Sequence, residues 1–335
     1  EAYAGDIVMI AGISNINVGE TVAENADVEA LPAITIDAPT LTMDFMANSS
    51  PFVGKEGTLV TSRQIKERLD RELETNVGLQ VSTSESGEAF HVSGRGEMHL
   101  AVLIETMRRE GFELQVSQPQ AIIKEVDGSK QEPYESVTID VPDESSGAVI
   151  EALGKRKGEM TNMESKDGST RLEYVIPTRG LLGYRMDFLT ATKGEGTMSH
   201  IFSHYGEYKG EIEKRATGSI ISGVTGKTLG FSLANLQERG VLFVGPGVEV
   251  YEGMVIGASA KESMTVNPCK GKQLTNMRSS GADDALNLTP PMYMTLERAL
   301  EYIVDDEYVE VTPESVRIRK KWLTEVDRKR NGKKK

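Results

Sequence analysis

The sequence contains two octapeptides of similar design, SGRGEMHL at residues 93–100 and PTRGLLGY at residues 177–184. In both, an Arg-Gly pair ends an alternating apolar run, and an apolar pattern of helical spacing follows it. Each helical pattern ends at a glycine, Gly111 or Gly194, where a left-handed helix terminator is expected. The same strand-to-helix transition occurs twice, which indicates a duplicated module.

The order of elements around each octapeptide predicts the same small fold. Around the first, strands are expected at 40–46, 79–84, 89–93 and 112–116, with helices near 61–76 and 100–110. Thr61 and Gln64 fit a capping box at the start of the first helix. The second copy repeats this order between residues 137 and 205. The order β-α-β-β-α-β predicts a ferredoxin-like split βαβ unit for each copy.

Other patterns flank the duplicated units. GDIVMIAG at 5–12 and VGETV at 18–22 predict two strands, which cannot bury a core by themselves. Beyond residue 206, short strands lie between glycine and proline turns, and a helical pattern follows at 296–303. This last region is therefore predicted to be β-rich.

Several motifs give the chain a family resemblance. Besides the octapeptides, they are TKGEGTM at 192–198, HYGEY at 204–208 and LFVGPG at 242–247. In combination they resemble the elongation factor G-like translational GTPases, and within them the BipA (TypA) branch, over essentially the whole chain. The resemblance implies that the two copies correspond to domains III and V of that superfamily.

The expected fold is therefore multidomain α+β, with two ferredoxin-like split βαβ domains between a β-barrel remnant and a β-rich C-terminal domain. By resemblance, the chain is a C-terminal fragment that lacks the GTPase domain. The expected boundaries are 1–36 for the end of the β-barrel (domain II), 37–120 for domain III, 121–133 for a hinge, 134–208 for domain V and 209–335 for a BipA-type C-terminal domain.

The chain lacks the motifs of a GTP site. A phosphate loop needs a glycine five positions before its Gly-Lys pair, so that backbone amides can wrap the phosphates. For Gly226-Lys227-Thr228 that position holds Ile221, and no Asn-Lys-x-Asp run is present. We expect this chain to be no enzyme and to bind no cofactor. The resemblance implies GTP and Mg for the full-length protein.

The histidines and the cysteine offer weaker alternatives. His200 and His204 are four residues apart but fall on a predicted strand, and His99 falls in the first turn of a helix. A zinc-dependent hydrolase using these three and His91 is one rival hypothesis. Cys269 is the only cysteine, so no disulfide can form within the chain, which fits a reducing compartment.

Charge is segregated along the chain. The 335 residues carry 38 Lys and Arg against 51 Asp and Glu, a net charge of −13. Residues 317–335 hold ten cations and two acids, which leaves 28 cations against 49 acids, a net of −21, for residues 1–316. Phosphates respond to the local field within about 8 Å at physiological salt, so this basic tail can attract nucleic acid.

A second basic segment, NPCKGKQLTNMRSSG at 267–281, has three cations and no acids. Its small residues allow close backbone approach to phosphate, although a solvated loop has the same composition. The candidate RNA contacts are Lys270, Lys272, Asn276, Arg278 and Ser279 in this loop and Arg319, Lys320 and Lys321 in the tail. The resemblance adds Arg179, Arg185 and Lys193 on the rim of the second unit.

The expected partner, by resemblance, is the ribosome: rRNA, large-subunit proteins and the tRNA of the aminoacyl site. The resemblance also implies a role in stress adaptation and large-subunit assembly. No signal peptide or long apolar segment is visible, so we expect a cytoplasmic protein without membrane contact or small-molecule substrate. A stand-alone adaptor that binds protein and no RNA is the alternative.

Overall fold

The computed structural model describes residues 2–13, 16, 18–25, 27–32, 38–212, 215, 217–271 and 287–332. Within these ranges, no helix has both the length and the apolar character needed to cross a bilayer.

The first unit has the predicted ferredoxin-like fold. Its elements are β1 Leu41–Ala47, α1 Ser62–Leu73, β2 Gln80–Thr83, β3 Ala89–Gly94, α2 Glu97–Arg109 and β4 Leu114–Val116. The strands are antiparallel in the order β4-β1-β3-β2, and both helices pack on one face through residues such as Ile65 and Ile104. The capping box of Thr61 and Gln64 is confirmed, and Gly111 has the left-handed φ of +97°.

The second unit repeats this topology, which confirms the duplication. After β5 Gln120–Ala121, its elements are β6 Lys124–Val126, β7 Ser129–Pro142, α3 Asp143–Lys155, β8 Glu159–Lys166, β9 Ser169–Pro177, α4 Thr178–Leu181, α5 Arg185–Ala191 and β10 Thr197–Glu207. The strand order is β10-β7-β9-β8, with its own core between sheet and helices. The helix predicted from the pattern of the second octapeptide and the residues after it is instead two short helices, α4 and α5, broken where Gly183 has a φ of +68°.

The segment predicted as a hinge, 121–133, is more ordered than expected. β5 pairs with β1 of the first unit, whereas β6 forms a hairpin with the start of β7 in the second. Asp127 and Gly128 supply the positive φ angles of that turn. The crossing between the units is therefore confined to the short stretch between β5 and β6.

The C-terminal region is β-rich, as predicted. Its elements are β11 Ser219–Ser222, β12 Gly226–Lys227, α6 Gly230–Leu236, a 3₁₀ turn at Gln237–Arg239, β13 Gly240–Leu242, β14 Glu249–Val250, β15 Met254–Ser259, β16 Met264–Val266, α7 Leu296–Tyr302, β17 Glu307–Val311, β18 Val316–Lys320 and α8 Glu325–Gly332.

This region is not separate from the first unit. β17 pairs with β4, so one sheet runs β16-β11-β15-β18-β17-β4-β1-β3-β2. Leu300 and Val309 share a core with Phe45 and Leu100 of the first unit. The pairing covers what would otherwise be an open edge at β4, and it joins the predicted domains at 37–120 and 209–335 into one body.

The two strands predicted at 5–12 and 18–22 do not form. These residues carry no strand pairing, and Ile7 and Met9 are fully exposed. An isolated pair of strands cannot bury its apolar face, so the predicted barrel end has nothing here to pack against.

A buried carboxylate network holds the body together. Glu310 on β17 is completely buried and accepts hydrogen bonds from Tyr251 Oη at 2.6 Å and Ser50 Oγ at 2.7 Å. Arg317 Nη1 on β18 donates to it at 3.1 Å and also pairs with Glu56. One charge cluster therefore links the loop after β1 to two strands of the C-terminal region.

We predict that Arg317→Ala destabilises this body by about 3–5 kcal/mol, because the change leaves buried Glu310 without its cation. Urea denaturation followed by circular dichroism measures the change. Arg330→Ala on exposed α8 is the matched control and should cost under about 0.5 kcal/mol. A loss below about 1 kcal/mol in Arg317→Ala would contradict a structural role for the network.

A second acidic cluster lies where α2, α5 and α7 meet. Burial, followed by the charge of Glu301 on α7, raises the pKa of Glu97 on α2 to about 7, and His200 and Arg185 oppose this shift. The ordinary value is 4.5, so the folded protein favours the protonated carboxyl. The stabilisation is complete below about pH 4.5 and is lost as the pH rises to 7.

We therefore predict that the free energy of unfolding falls between pH 5 and pH 7, by on the order of 2–3 kcal/mol from this group. Glu97→Gln should flatten that part of the profile, which urea titrations at several pH values would measure. Exposed Glu88→Gln should leave the profile unchanged. A slope that survives in Glu97→Gln would assign the effect to other groups.

Candidate nucleic-acid interface

The basic loop at 267–281 is described only at its beginning. Lys270 is exposed there. Lys272, Asn276, Arg278 and Ser279 lie outside the described residues, so their predicted role stays a prediction.

Helix α6 and the turn after it hold both ends of the segment 272–286. On the incoming side, Ser232 Oγ donates to Asn267 O at 2.7 Å, and Leu229 N donates to Pro268 O at 3.0 Å. On the outgoing side, Gln237 Nε2 donates to Asn287 O at 2.9 Å and its Oε1 accepts from Thr289 N at 3.0 Å. The residues on either side of the segment 272–286 are therefore held at one place in the C-terminal region.

Lys227 is a candidate that sequence reasoning missed. It lies exposed on β12, and a Cβ on neighbouring Gly226 would lie 3.2 Å from Cys269 Sγ at the loop root. Thr228 is buried and donates to Gly245 O at 2.7 Å, so the Gly-Lys-Thr run belongs to a strand and its turn. The lysine was visible as part of a failed phosphate loop, but only the fold brings its neighbour Gly226 against Cys269, the residue before Lys270. On β12, Lys227 faces Glu249 of β14 in the antiparallel register.

The start of the basic tail, in β18, faces inward, whereas α8 further along has no buried residues. Arg319 and Lys320 are 3% and 4% exposed, which argues against the prediction that they contact RNA. Arg319 Nη1 donates to Gln115 Oε1 at 3.1 Å, and Lys320 Nζ pairs with Asp306 and Glu307 at 2.9 Å. Lys321 is half-buried, with its ammonium 4.9 Å from the ring centroid of Tyr308.

These cations are buried because β18 is an interior strand, and its charges are opposite to those that face them on β17. In the antiparallel register, Glu307 faces Lys320 and Glu310 faces Arg317. This complementarity is visible in the sequence as acids and cations at equal distances from the turn, and it was the signal that could have identified a hairpin.

The rim arginines and lysine of the second unit divide into two kinds. Arg179 forms a bidentate pair with fully buried Glu132. Burial opposes the charged form of Arg179, but the hydrogen bond and the charge of Glu132 outweigh burial, so the pKa of Arg179 is raised. Lys193 is exposed and bonds Glu144 at 2.8 Å. Arg185 is exposed at the start of α5, and no carboxylate of the described ranges forms an ion pair with it within 4.0 Å.

The four histidines lie apart, each with its own neighbour. His200 pairs with Glu135 and His91 with Asp44, His99 hydrogen-bonds Asn76, and His204 stacks on Tyr134 at 5.2 Å between centroids. In the part of the chain that the structure describes, no three His, Cys, Asp or Glu side chains converge to hold a metal. Burial raises the pKa of Cys269, which disfavours a thiolate.

Comparison with known families matches the two regions after the first unit. Residues 129–216 match the family described as elongation factor G C-terminus, and residues 217–325 match TypA/BipA C-terminal domain. A crystal structure of a protein from Thermus thermophilus aligns with a TM-score of 0.34 at 15% identity, over 53% of this chain and 42% of that one, a likeness too low to carry an argument.

Similar relatives are named large ribosomal subunit assembly factor BipA. The Haemophilus influenzae protein is 57% identical over 332 residues, 98% of this chain and 54% of its own length. The Escherichia coli K12 protein is 55% identical over 98% of this chain and 55% of its own, and the Synechocystis protein 53% over 96% and 54%. This chain thus spans about half the length of those relatives. It belongs to the BipA (TypA) family of the elongation factor G-like superfamily.

Proposed function

We propose that this chain is the ribosome-binding portion of a BipA-type translation factor. The observation that carries the proposal is the pair of exposed lysines, Lys227 and Lys270, at a loop root whose two ends α6 holds together. The relatives' name, large ribosomal subunit assembly factor, supplies the partner.

The electrostatics favour this surface over the rest of the molecule. The chain is acidic, and Arg317, Arg319 and Lys320 are largely or fully buried. We therefore assign phosphate contact to Lys227 and Lys270 at the loop root, to exposed Arg185 and to the predicted loop residues Lys272, Asn276, Arg278 and Ser279. Cations contribute a sequence-independent attraction, and small polar residues let the backbone approach RNA.

The role proposed is positioning without chemistry. This chain would hold the factor at the ribosomal factor site, where it contacts rRNA, large-subunit proteins and the tRNA of the aminoacyl site. In the full-length protein, a GTPase domain with GTP and Mg would set how firmly the site is occupied. We place this role in the cytoplasm, in the assembly of the large ribosomal subunit and in adaptation to stress.

We predict that changing Lys270, Lys272 and Arg278 together to alanine weakens ribosome co-sedimentation and makes its logarithmic salt dependence shallower. Each lost phosphate contact should reduce the slope by about 0.7–0.9, because fewer counterions are released. Co-sedimentation at salt concentrations from about 50 to about 300 mM measures the slope of the logarithm of the binding constant against the logarithm of the salt concentration.

The matched control removes the same charge from a distant surface. Arg63, Lys66 and Arg71 lie exposed on α1, and their change to alanine should leave the slope unaltered. Equal slopes in the loop variant and the parent would remove the loop from the interface. Binding of the parent that is insensitive to salt would favour the protein-interaction adaptor.

We also predict that Lys227→Ala alone reduces the same slope by about 0.7–0.9, because it lies beside the loop root. Lys166→Ala, at the exposed end of β8, is its single-charge control. Indistinguishable slopes for these two variants would confine the contact to the loop itself.

A further inference from the structure

A cavity of about 690 Å³ lies between the second unit, β5 and the C-terminal region. Three methionines line it: Met186 on α5, and Met292 and Met294 before α7. Small-molecule sites typically occupy roughly 300–1,000 Å³ and have mostly apolar walls with a few placed polar groups. Thioether side chains adapt their shape to a bound apolar group at low cost.

The walls of this cavity are tied to one another. Gln118 Nε2 donates to Ile303 O at 2.8 Å, and Arg215 Nη1 donates to Tyr302 O at 2.9 Å. Gly183 lies so close to α7 that a Cβ there would be 3.0 Å from the backbone oxygen of Glu301. Because these contacts fix the walls before anything binds, a ligand would lose little free energy to ordering them.

Four arginines line the cavity, and three are paired. The pairs are Arg156 with Asp187, Arg179 with Glu132 and Arg215 with Glu307. Arg298, on α7, has no carboxylate partner within 4.0 Å among the described residues, and its one side-chain hydrogen bond goes to Tyr293 O at 3.3 Å. A guanidinium has five N–H donors, so Arg298 keeps donors for an anion.

We propose that this cavity binds a small amphipathic carboxylate. Its apolar body would lie against Met186, Met292 and Met294, and its carboxylate would accept a bidentate pair of hydrogen bonds from Arg298. Glu211 also lines the cavity, and its carboxylate repels added negative charge. A single negative charge is therefore accommodated better than the double charge of a phosphate ester.

Three probes that share a decyl chain and differ in charge test the proposal: decanoate, decanol and decyltrimethylammonium. The two ionic probes are used below their critical micelle concentrations, and decanol below its solubility limit. Methionine labelled with ¹³C in the methyl group reports the position of binding by NMR. Decanoate should shift the signals of Met186, Met292 and Met294 saturably, with those of buried Met43 and Met107 unchanged. It should also bind at least about tenfold more tightly than decyltrimethylammonium, since one charge-assisted hydrogen bond supplies that ratio.

Arg298→Gln should weaken decanoate binding about tenfold, or about 1.4 kcal/mol, and leave decanol binding unchanged. Exposed Arg239→Gln is the matched control and should change neither. Equal decanoate affinity in parent and Arg298→Gln, or shifts spread over all methionines, would overturn the site. If the variant does not fold, the parent's preference between decanoate and decyltrimethylammonium still decides, and equal affinities would refute the proposal.

Discussion

The structure depends on three completely buried glutamates, Glu132, Glu307 and Glu310, each of which is held by a cation where segments of the chain meet. Glu307 and Glu310 on β17 face the cations of β18, and Glu132 receives a guanidinium from the segment after β9. A buried carboxylate that loses its cation destabilises a protein by several kcal/mol. Charge pairing therefore fixes the position of β17, and with it the seam between β17 and β4, as firmly as the backbone hydrogen bonds do.

Cations that pair with buried glutamates are not available at the surface to attract a polyanion. A tail rich in lysine and arginine suggests a basic surface, yet its first four residues belong to an interior strand, with Arg317 and Lys320 paired to acids. The remaining exposed cations lie among many exposed carboxylates. Attraction of a polyanion then depends on places where cations are local neighbours without acids between them, because salt screens anything more distant.

The sequence was sufficient for the two ferredoxin-like units because their signals are local. Helical spacing, the cap at Thr61 and the glycine at 111 each act within a few residues. The seam was not predictable in the same way: β4 contributes only three residues, and its partner lies almost two hundred positions later. Of the candidate site, the loop was identified from composition. Lys227 required the fold, because Cys269, which lies against its neighbour Gly226, is remote in sequence.

The pairing of β17 with β4 also determines where the basic loop root and the cavity lie relative to each other. The roots of the basic loop belong to the body that contains the first unit and the C-terminal region, since α6 packs in that region's core through Leu233 and Leu236. The second unit joins this body through the short link after β5 and through close contacts such as that of Gly183 with the backbone of Glu301. A change at the cavity or at Glu97 therefore acts first on the contacts between the second unit and this body. The loop root is fixed by its own hydrogen bonds, which involve none of the residues that line the cavity.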